Sequence, residues 1–275
     1  MITSIRMELL KLWRKPRTYF GFISMTLMII LMLIAIKYGD PFRHMRERIS
    51  QDFIIAGSFI NAAFLTRYLL EGVVYTFLPL FACLVCGDLI ASEASDGTLR
   101  TVLCRPISKV GWAVSKYVVG AFYIFVLAIF SGVAAYMVGW AFLGKGSLVV
   151  FNDGIWVFPE WSAILRLLAT YGIVAVAMLA VGSVSFAIST FLSNANVAII
   201  GGMGLLYMSA ILQEIEYFKF LKPYLLTSYF NSWKGLFVEP IDTTIIWESL
   251  GVLLVYSAVA FIIGLVIFQR RDVLS

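Results

Sequence analysis

Charged residues are scarce in this chain. Asp, Glu, Lys and Arg make up 13% of its 275 residues, whereas 61% are hydrophobic, and the mean hydropathy is +0.93. Soluble domains are about one-quarter charged and about half apolar. A soluble fold of this length has too much surface for its volume to bury so much apolar area, and lipid removes that requirement. The composition therefore predicts a membrane protein.

Histidine and cysteine are also rare, which limits the available chemistry. The single histidine, His44, lies in a basic loop, and there is no HExxH pattern for a zinc protease. Cys83 and Cys86 are spaced CxxC, but they lie inside an apolar run. Redox and metal-binding cysteines need an exposed, electropositive setting. We therefore predict no metal site and no redox centre.

Ionisable side chains are missing from the centres of the predicted spans from residue 117 onward. Pumps and ion-coupled transporters place such residues at mid-membrane to carry protons or sodium. Glu71, Asp88 and Glu248 lie near span ends, where contact with water or lipid headgroups explains them. An ion-coupled mechanism is therefore disfavoured, and energy for uphill transport would enter from outside the spans.

A nucleotide-binding loop is also lacking. Residues 139–146 read GWAFLGKG, which matches GxxxxGK but has Gly146 where the magnesium-binding Ser or Thr belongs. No strand is predicted before this run, and the run lies at the end of a predicted membrane helix. We therefore predict no nucleotide site in this chain.

What the sequence does contain is apolar runs long enough to cross a bilayer, which takes about 20 residues. We predict an all-α membrane protein, a single transmembrane domain over 1–275 with a kink at Pro79. Its six predicted spans cover about 19–36, 69–90, 117–143, 167–192, 197–212 and 245–268. No cleavable signal is apparent, so the first run is interpreted as a retained span.

Basic residues favour one side of the predicted bundle. They precede the first span, fill the loop after the second and follow the last: Arg14, Lys15, Arg17, Arg100, Arg105, Lys109, Lys116, Arg270 and Arg271. The opposite loops hold most of the acidic residues, although Arg43, Arg46 and Arg48 lie there too. By the positive-inside rule, both termini are predicted to be cytoplasmic. The membrane is expected to be the cytoplasmic (inner) membrane of a bacterium or archaeon.

Two segments are predicted to lie at the membrane surface. Within residues 1–17, Ile5, Leu9 and Leu12 recur at helical spacing and Trp13 suits the headgroup region, which is typical of an interfacial amphipathic helix. Residues 213–244 are rich in aromatic side chains and are predicted to form a partly re-entrant outer segment.

The loop at 91–116 between the second and third spans is amphipathic and charged. Asp96-Gly97 is expected to break the preceding helix. A short helix is predicted from Thr98, which could cap it, to a stop at Pro106. Such a helix could press into a groove on a soluble partner, while an ordinary solvated loop is the alternative on physical grounds alone.

This loop resembles that of the ABC-2 superfamily of transporter permeases, whose pattern runs roughly E, GTL, L, PxSR and K. The matching residues are Glu93, Gly97-Thr98-Leu99, Leu103, Arg105-Pro106-Ile107-Ser108-Lys109 and Lys116. Lys109 departs mildly from the pattern, because an arginine is commoner there. The six spans and the amphipathic start are consistent with the resemblance in layout.

The resemblance implies a permease subunit that pairs with a second permease copy, itself identical in the simplest case, and with two copies of an ATP-binding cassette ATPase. ATP and magnesium would be bound by the ATPase, and the loop would act as a coupling helix. The implied ATPase interface comprises Glu93, Asp96, Gly97, Thr98, Leu99, Arg100, Leu103, Arg105 and Pro106. Export of an amphiphilic, peptide-like or drug-like substrate is implied, and no nucleic acid is expected.

Two rival functions remain open at this point. The chain could be a membrane scaffold or assembly subunit that transports nothing. It could also be an intramembrane enzyme, in which His44 would have to reach a span serine such as Ser183 or Ser185, although small residues in a span more often serve helix packing.

Overall fold

The computed structural model describes residues 2–39, 60–95, 97, 108–151, 154–192 and 194–270. These residues form α1 (Ile2–Arg14), α2 (Pro16–Gly39), α3 (Ala62–Tyr75), α4 (Phe77–Ser95), α5 (Lys109–Leu143), β1 (Leu148–Phe151), β2 (Ile155–Phe158), α6 (Glu160–Phe191), α7 (Ala195–Glu214) and α8 (Thr243–Arg270). Three 3-10 helices, Glu216–Tyr224, Leu226–Tyr229 and Ser232–Phe237, precede α8.

Six helices in the described part of the chain, α2 and α4 to α8, are long and apolar enough to cross a membrane. Each overlaps one of the predicted apolar runs. The chain is therefore an α-helical, multi-pass membrane protein, and this part of the predicted fold class is confirmed.

The third span is longer at its start than the apolar run predicts. The helix α5 begins at Lys109 because Ser108 caps it, with its Oγ accepting the Gly111 N–H at 3.1 Å. It ends at Leu143, where Gly144 has a φ of 82° that favours glycine. The GWAFLGKG run is therefore a helix end that leads into β1, whereas a phosphate-binding loop connects a strand to a helix.

The second span is interrupted between α3 and α4, at Thr76. Pro79 explains this position, because a proline removes the hydrogen bond to the carbonyl four residues earlier and its ring clashes with that carbonyl. Upstream of the break, α3 starts at Ala62 rather than near 69, since Asn61 caps it by accepting the Phe64 N–H at 3.0 Å.

Close approach between helices depends on glycines. A Cβ at Gly139 of α5 would lie 2.8 Å from the Cα of Ala62, and one at Gly264 of α8 would lie 3.0 Å from the Cα of Ala187. Gly202 of α7 faces Ser185 and Cys83 of the same chain. Gly202 thus serves packing within the protomer. Both described cysteines, Cys83 and Cys86, are buried in this core.

The end of the bundle opposite α1 is closed by a β-hairpin and the 3-10 helices. In the hairpin, β1 and β2 pair in antiparallel fashion. These strands differ from the predicted all-α class, which has no β structure. Phe230, Trp233 and Phe237 of the 3-10 helices are each 1% exposed. The aromatic residues of the predicted outer segment are therefore partly packed into the protein. The Arg67 guanidinium lies 5.8 Å from the Trp233 ring and 5.4 Å from the Phe237 ring.

Candidate functional site

Most of the predicted ATPase interface cannot be placed. Asp96, Thr98, Leu99, Arg100, Leu103, Arg105 and Pro106 lie outside the described residues, as does His44. Glu93 and Gly97 are described. Gly97 is exposed, has a φ of 69° and donates its N–H to the Ala94 carbonyl at 3.3 Å, so it ends α4 where the sequence predicts a break.

The N-terminal helix α1 lies against the bundle and contacts α5. Of its predicted apolar face, Leu12 is buried, and Ile5 and Leu9 are partly buried against the hydrophobic core. Trp13 stacks on Phe22 with the ring centroids 5.9 Å apart. These four residues thus lie on the protein side of the helix. Among the described side chains of α1, Met7 and Leu10 are the large apolar ones that are exposed.

Four charged side chains meet where α1, α4 and α5 adjoin, and we call Glu8, Lys11, Glu93 and Lys116 the four-charge cluster. The Lys116 Nζ donates to Glu8 Oε2 at 3.0 Å and to Glu93 Oε1 at 2.8 Å. The Lys11 Nζ donates to Glu8 Oε1 at 3.0 Å and to Glu93 Oε1 at 3.3 Å. The cluster contains two ammonium and two carboxylate groups and is neutral overall.

Lys116 is the most deeply placed member of the cluster. It is 2% exposed, and its ammonium also lies 4.7 Å from the centroid of the Trp112 ring. A buried ammonium loses its hydration, and this cost is offset only where carboxylates and other groups replace the water. The two carboxylates and the indole face provide that replacement here.

The cluster also shifts the pKa values of Glu8 and Lys11, its two members from α1. Burial by itself would raise the pKa of Glu8, but the charges and hydrogen bonds of Lys116 and Lys11 outweigh it and lower that pKa below 4.5. Burial would lower the pKa of Lys11, but Glu8 and Glu93 outweigh it and raise that pKa above 10.5. Both groups are therefore held in their charged forms over the physiological range.

The position of the cluster gives it a structural consequence. Glu93 lies in the last turn of α4 and Lys116 lies near the start of α5, so the two residues flank positions 96–107 in the sequence. The cluster therefore joins the end of α4 and the start of α5 to α1. Nearby, Trp112 stacks on Phe268 of α8 at 5.3 Å, which joins the last span to the same region.

A second ion-pair group lies close by. Asp88 of α4 accepts hydrogen bonds from Lys15 at 2.7 Å and from Arg17 at 3.0 Å, and it is 6% exposed. Two basic side chains thus largely cover Asp88, and the sequence does not predict this pairing. Glu71 and Glu248 are exposed, as predicted.

Sequence reasoning missed several members of these groups. Glu8 was not predicted to be functional, and Lys116 was recognised only as part of the loop pattern. The available signal was an acidic residue on an otherwise basic amphipathic helix, facing a lysine at the start of a span. The partners lie far apart in the chain, so no local pattern could pair them.

Hydroxyl groups join three of the candidate spans. Tyr117 of α5 hydrogen-bonds to Ser183 at 2.8 Å and to Ser257 at 2.7 Å, and the two serines lie 2.8 Å apart. Ser185 donates to the carbonyls of Cys83 and Ala198. These contacts hold helices together. Within the described ranges, no three His, Cys, Asp or Glu residues come together as metal ligands.

Comparison with known proteins places the chain in a family. It is 24% identical over 139 residues to the uncharacterized protein YhcI of Bacillus subtilis (strain 168). This similarity covers 48% of the chain and 44% of YhcI, so it spans less than half the length of that relative. Residues 27–274, which include all the helices from α3 onward, match the family described as protein of unknown function (DUF2705), and the chain belongs to this family.

Proposed function

We propose that this protein is the permease subunit of an ABC-2-type transporter, energised by a separate ATP-binding subunit. The observation that carries the proposal is the four-charge cluster, which joins the end of α4 and the start of α5, on either side of positions 96–107 in the sequence, to the helix α1. The loop itself has the residue pattern that resembles the coupling helix of these permeases.

The cluster supports the proposal because a coupling element must transmit displacement. A loop attached to the bundle only through its backbone would absorb a push from a partner by bending. Here Glu93 and Lys116 hold the adjoining ends of α4 and α5 together and against α1. A push on the loop would therefore move α1, α4 and α5 as one body.

The proposed arrangement has two permease copies and two ATPase copies, with ATP and magnesium bound by the ATPases. Both termini and the 96–107 loop would face the cytoplasm of a bacterium or archaeon. ATPase closure would open a path between the permease copies for an amphiphilic, peptide-like or drug-like substrate. Apolar faces suited to such a path are exposed on α2 and α7, for example at Ile23 and Met208.

The proposal is tested by reversing one charge of the cluster. Glu93→Lys places a third ammonium beside Lys11 and Lys116, so the loop ends should separate and the partner should be lost or uncoupled. A matched control is Glu248→Lys, the same change at an exposed glutamate. We expect the first variant, and not the second, to lose pull-down of the co-expressed ATPase or its stimulated hydrolysis, with membrane insertion unchanged for both.

If Glu93→Lys captured the ATPase as strongly as the wild type does and stimulated its ATP hydrolysis normally, the coupling role would be contradicted. A neighbouring reading frame that encodes a soluble protein with GxxxxGK[ST] would support the transporter. If no ATPase co-purifies with the wild-type chain, the scaffold alternative is favoured.

A further inference from the structure

A polar cavity lies at the same end of the bundle as α1. The start of α2, the end of α4 and the start of α7 line an open cavity of about 460 Å³. Its polar lining includes Lys15, Arg17, Asp88, Ser92, Asn194 and Asn196. This volume is within the range of small-ligand sites, about 300–1,000 Å³.

The α2 side of the cavity carries an excess of positive charge. Among the described residues that line the cavity, Lys15 and Arg17 are basic and Asp88 is the one acidic residue. The Asp88 carboxylate is largely buried and holds both cations in place, and the Lys15 Nζ also contacts Ser92 Oγ at 3.4 Å. The side chains of Lys15 and Arg17 remain 44% and 57% exposed, so each can still donate to a ligand.

The α7 side of the cavity is suited to the same kind of ligand. Asn194 caps α7 by accepting the Asn196 N–H at 3.0 Å, and Asn196 also lines the cavity. The first turn of this 20-residue helix presents N–H groups without intrahelical acceptors, and the helix dipole adds partial positive charge. The start of α7 and the two cations thus line one cavity.

We propose that this cavity binds a phosphate ester anion, carried by an anionic phospholipid headgroup or by a small soluble phosphate. Basic pockets between spans are suited to lipid headgroups. The cavity lies at the ends of three candidate spans, and Phe20 of α2 and Ile200 of α7 expose apolar side chains near it in the chain. A bound phosphate would link the starts of α2 and α7 and does not depend on the transporter proposal.

The test is lipid retention measured by native mass spectrometry. The protein is released from nanodiscs of equal parts dioleoylphosphatidylglycerol and dioleoylphosphatidylcholine. We expect the wild type to retain the anionic lipid in preference. Arg17→Gln should reduce retention about tenfold, the size expected for loss of a charge-assisted hydrogen bond. Asn196→Leu should also reduce it, because it fills the cavity without changing charge.

The matched control is Arg14→Gln, which removes an exposed positive charge next to the cavity but outside its lining. It should retain lipid as the wild type does. A second arm adds inorganic phosphate or glycerol 3-phosphate to protein in pure phosphatidylcholine nanodiscs and follows the thermal midpoint. A rise that Arg17→Gln or Asn196→Leu abolishes, without lipid retention, would assign the site to a soluble phosphate.

Two results would overturn the proposal. One is that neither the anionic lipid nor the soluble phosphates bind to the wild type. The other is that Arg14→Gln lowers binding as much as Arg17→Gln and Asn196→Leu do, since that would indicate diffuse surface charge. Because Asn196→Leu keeps both cations and the Asp88 ion pairs, it remains informative if Arg17→Gln does not fold.

Discussion

At the scale of the residue, Lys116 shows how a charge can be kept almost completely out of water. Its ammonium has two carboxylate partners and an aromatic face within reach, so every charge in the four-charge cluster is balanced. Such a cluster contributes geometry more than net stability, because desolvation offsets most of the attraction. Removing one member should nevertheless be costly, since the others stay buried.

Replacing Lys116 with Met tests this cost. The two carboxylates of Glu8 and Glu93 would then share the more exposed Lys11 alone, and the loss of a buried partner costs about 3–5 kcal/mol. We expect a clearly lower thermal midpoint in detergent. The control Lys37→Met, at an exposed lysine, should leave the midpoint unchanged. Equal midpoints for the two variants would contradict the structural role of the cluster.

The dependence of the cluster on pH follows from Glu8 and Lys11. The lowered pKa of Glu8 means that its contribution is complete above pH 4.5 and is lost as pH falls through the folded-state pKa. The raised pKa of Lys11 means that its contribution is complete below pH 10.5 and is lost as pH rises through the folded-state value. Between these limits the contributions of Glu8 and Lys11 should not vary with pH.

Glu8→Gln provides the measurement. Hydrogen bonds to charged groups contribute about 1.5–3 kcal/mol, so the variant should unfold at a lower temperature at neutral pH. The difference from wild type should shrink below pH 4.5, because Glu8 becomes protonated in the wild type. A difference that stays constant as pH falls well below 4.5 would show that the carboxylate charge is not involved.

At the scale of the element, capping residues determine where helices begin, and a proline interrupts the second span. The start of α5 depends on Ser108, and the break between α3 and α4 depends on Pro79. The spacing between helices depends on glycines that face another helix. Gly139 faces the backbone of α3, whereas Gly172 of α6 faces open space.

Gly139→Ala and Gly172→Ala form a matched pair. At Gly139 the new methyl group would overlap the Ala62 Cα, and overpacking of this kind costs about 1–3 kcal/mol. At Gly172 the same change should be neutral or stabilise the helix by about 0.5–1 kcal/mol. The thermal midpoint of Gly139→Ala should therefore fall, and that of Gly172→Ala should stay the same or rise. A stable Gly139→Ala would show that α3 and α5 can separate at no cost.

At the scale of the whole molecule, the two ends of the bundle differ in character. One end has the four-charge cluster, the Asp88 ion pairs and the polar cavity. The other has a β-hairpin and aromatic 3-10 helices packed under it. This asymmetry, together with the even number of candidate spans, is the physical basis for expecting both termini on one side of the membrane.

Reporter fusions can establish this orientation. A fusion at residue 275 should report the cytoplasmic side, and an insertion at residue 153, between β1 and β2, should report the opposite side. The insertion lies between the two strands of the hairpin and so spares every span. The same side for both would mean that one of the six candidate helices does not cross.

The exposed apolar faces of α2 and α7 lead to a prediction about assembly. We expect two copies of the permease to contact each other along these helices when the ATPase is co-expressed. Cysteines at Ile23 and Met208, in a background without the native thiols, should cross-link between copies. Val255 of α8, which is equally exposed, should not. A native mass of the intact complex with a single membrane chain would exclude the dimer.

The amino-acid sequence by itself determined that this chain is a helical membrane protein. Runs such as 19–36 and 245–268 are so apolar that lipid is their only favourable solvent, and lipid requires the backbone to satisfy its hydrogen bonds within a helix. The break at Gly97 and the proline effect near 79 were likewise predictable, because both act through the local backbone.

Only the tertiary structure decided which charges meet. Glu8 pairs with Lys116 over 108 residues, and Asp88 pairs with Lys15 and Arg17 over more than 70. The direction in which each of these side chains points depends on how its helix is rotated against its neighbours. Close contacts between these helices, such as Gly120 of α5 with Leu89 of α4 and Gly21 of α2 with Tyr123 of α5, form only when distant segments pack together.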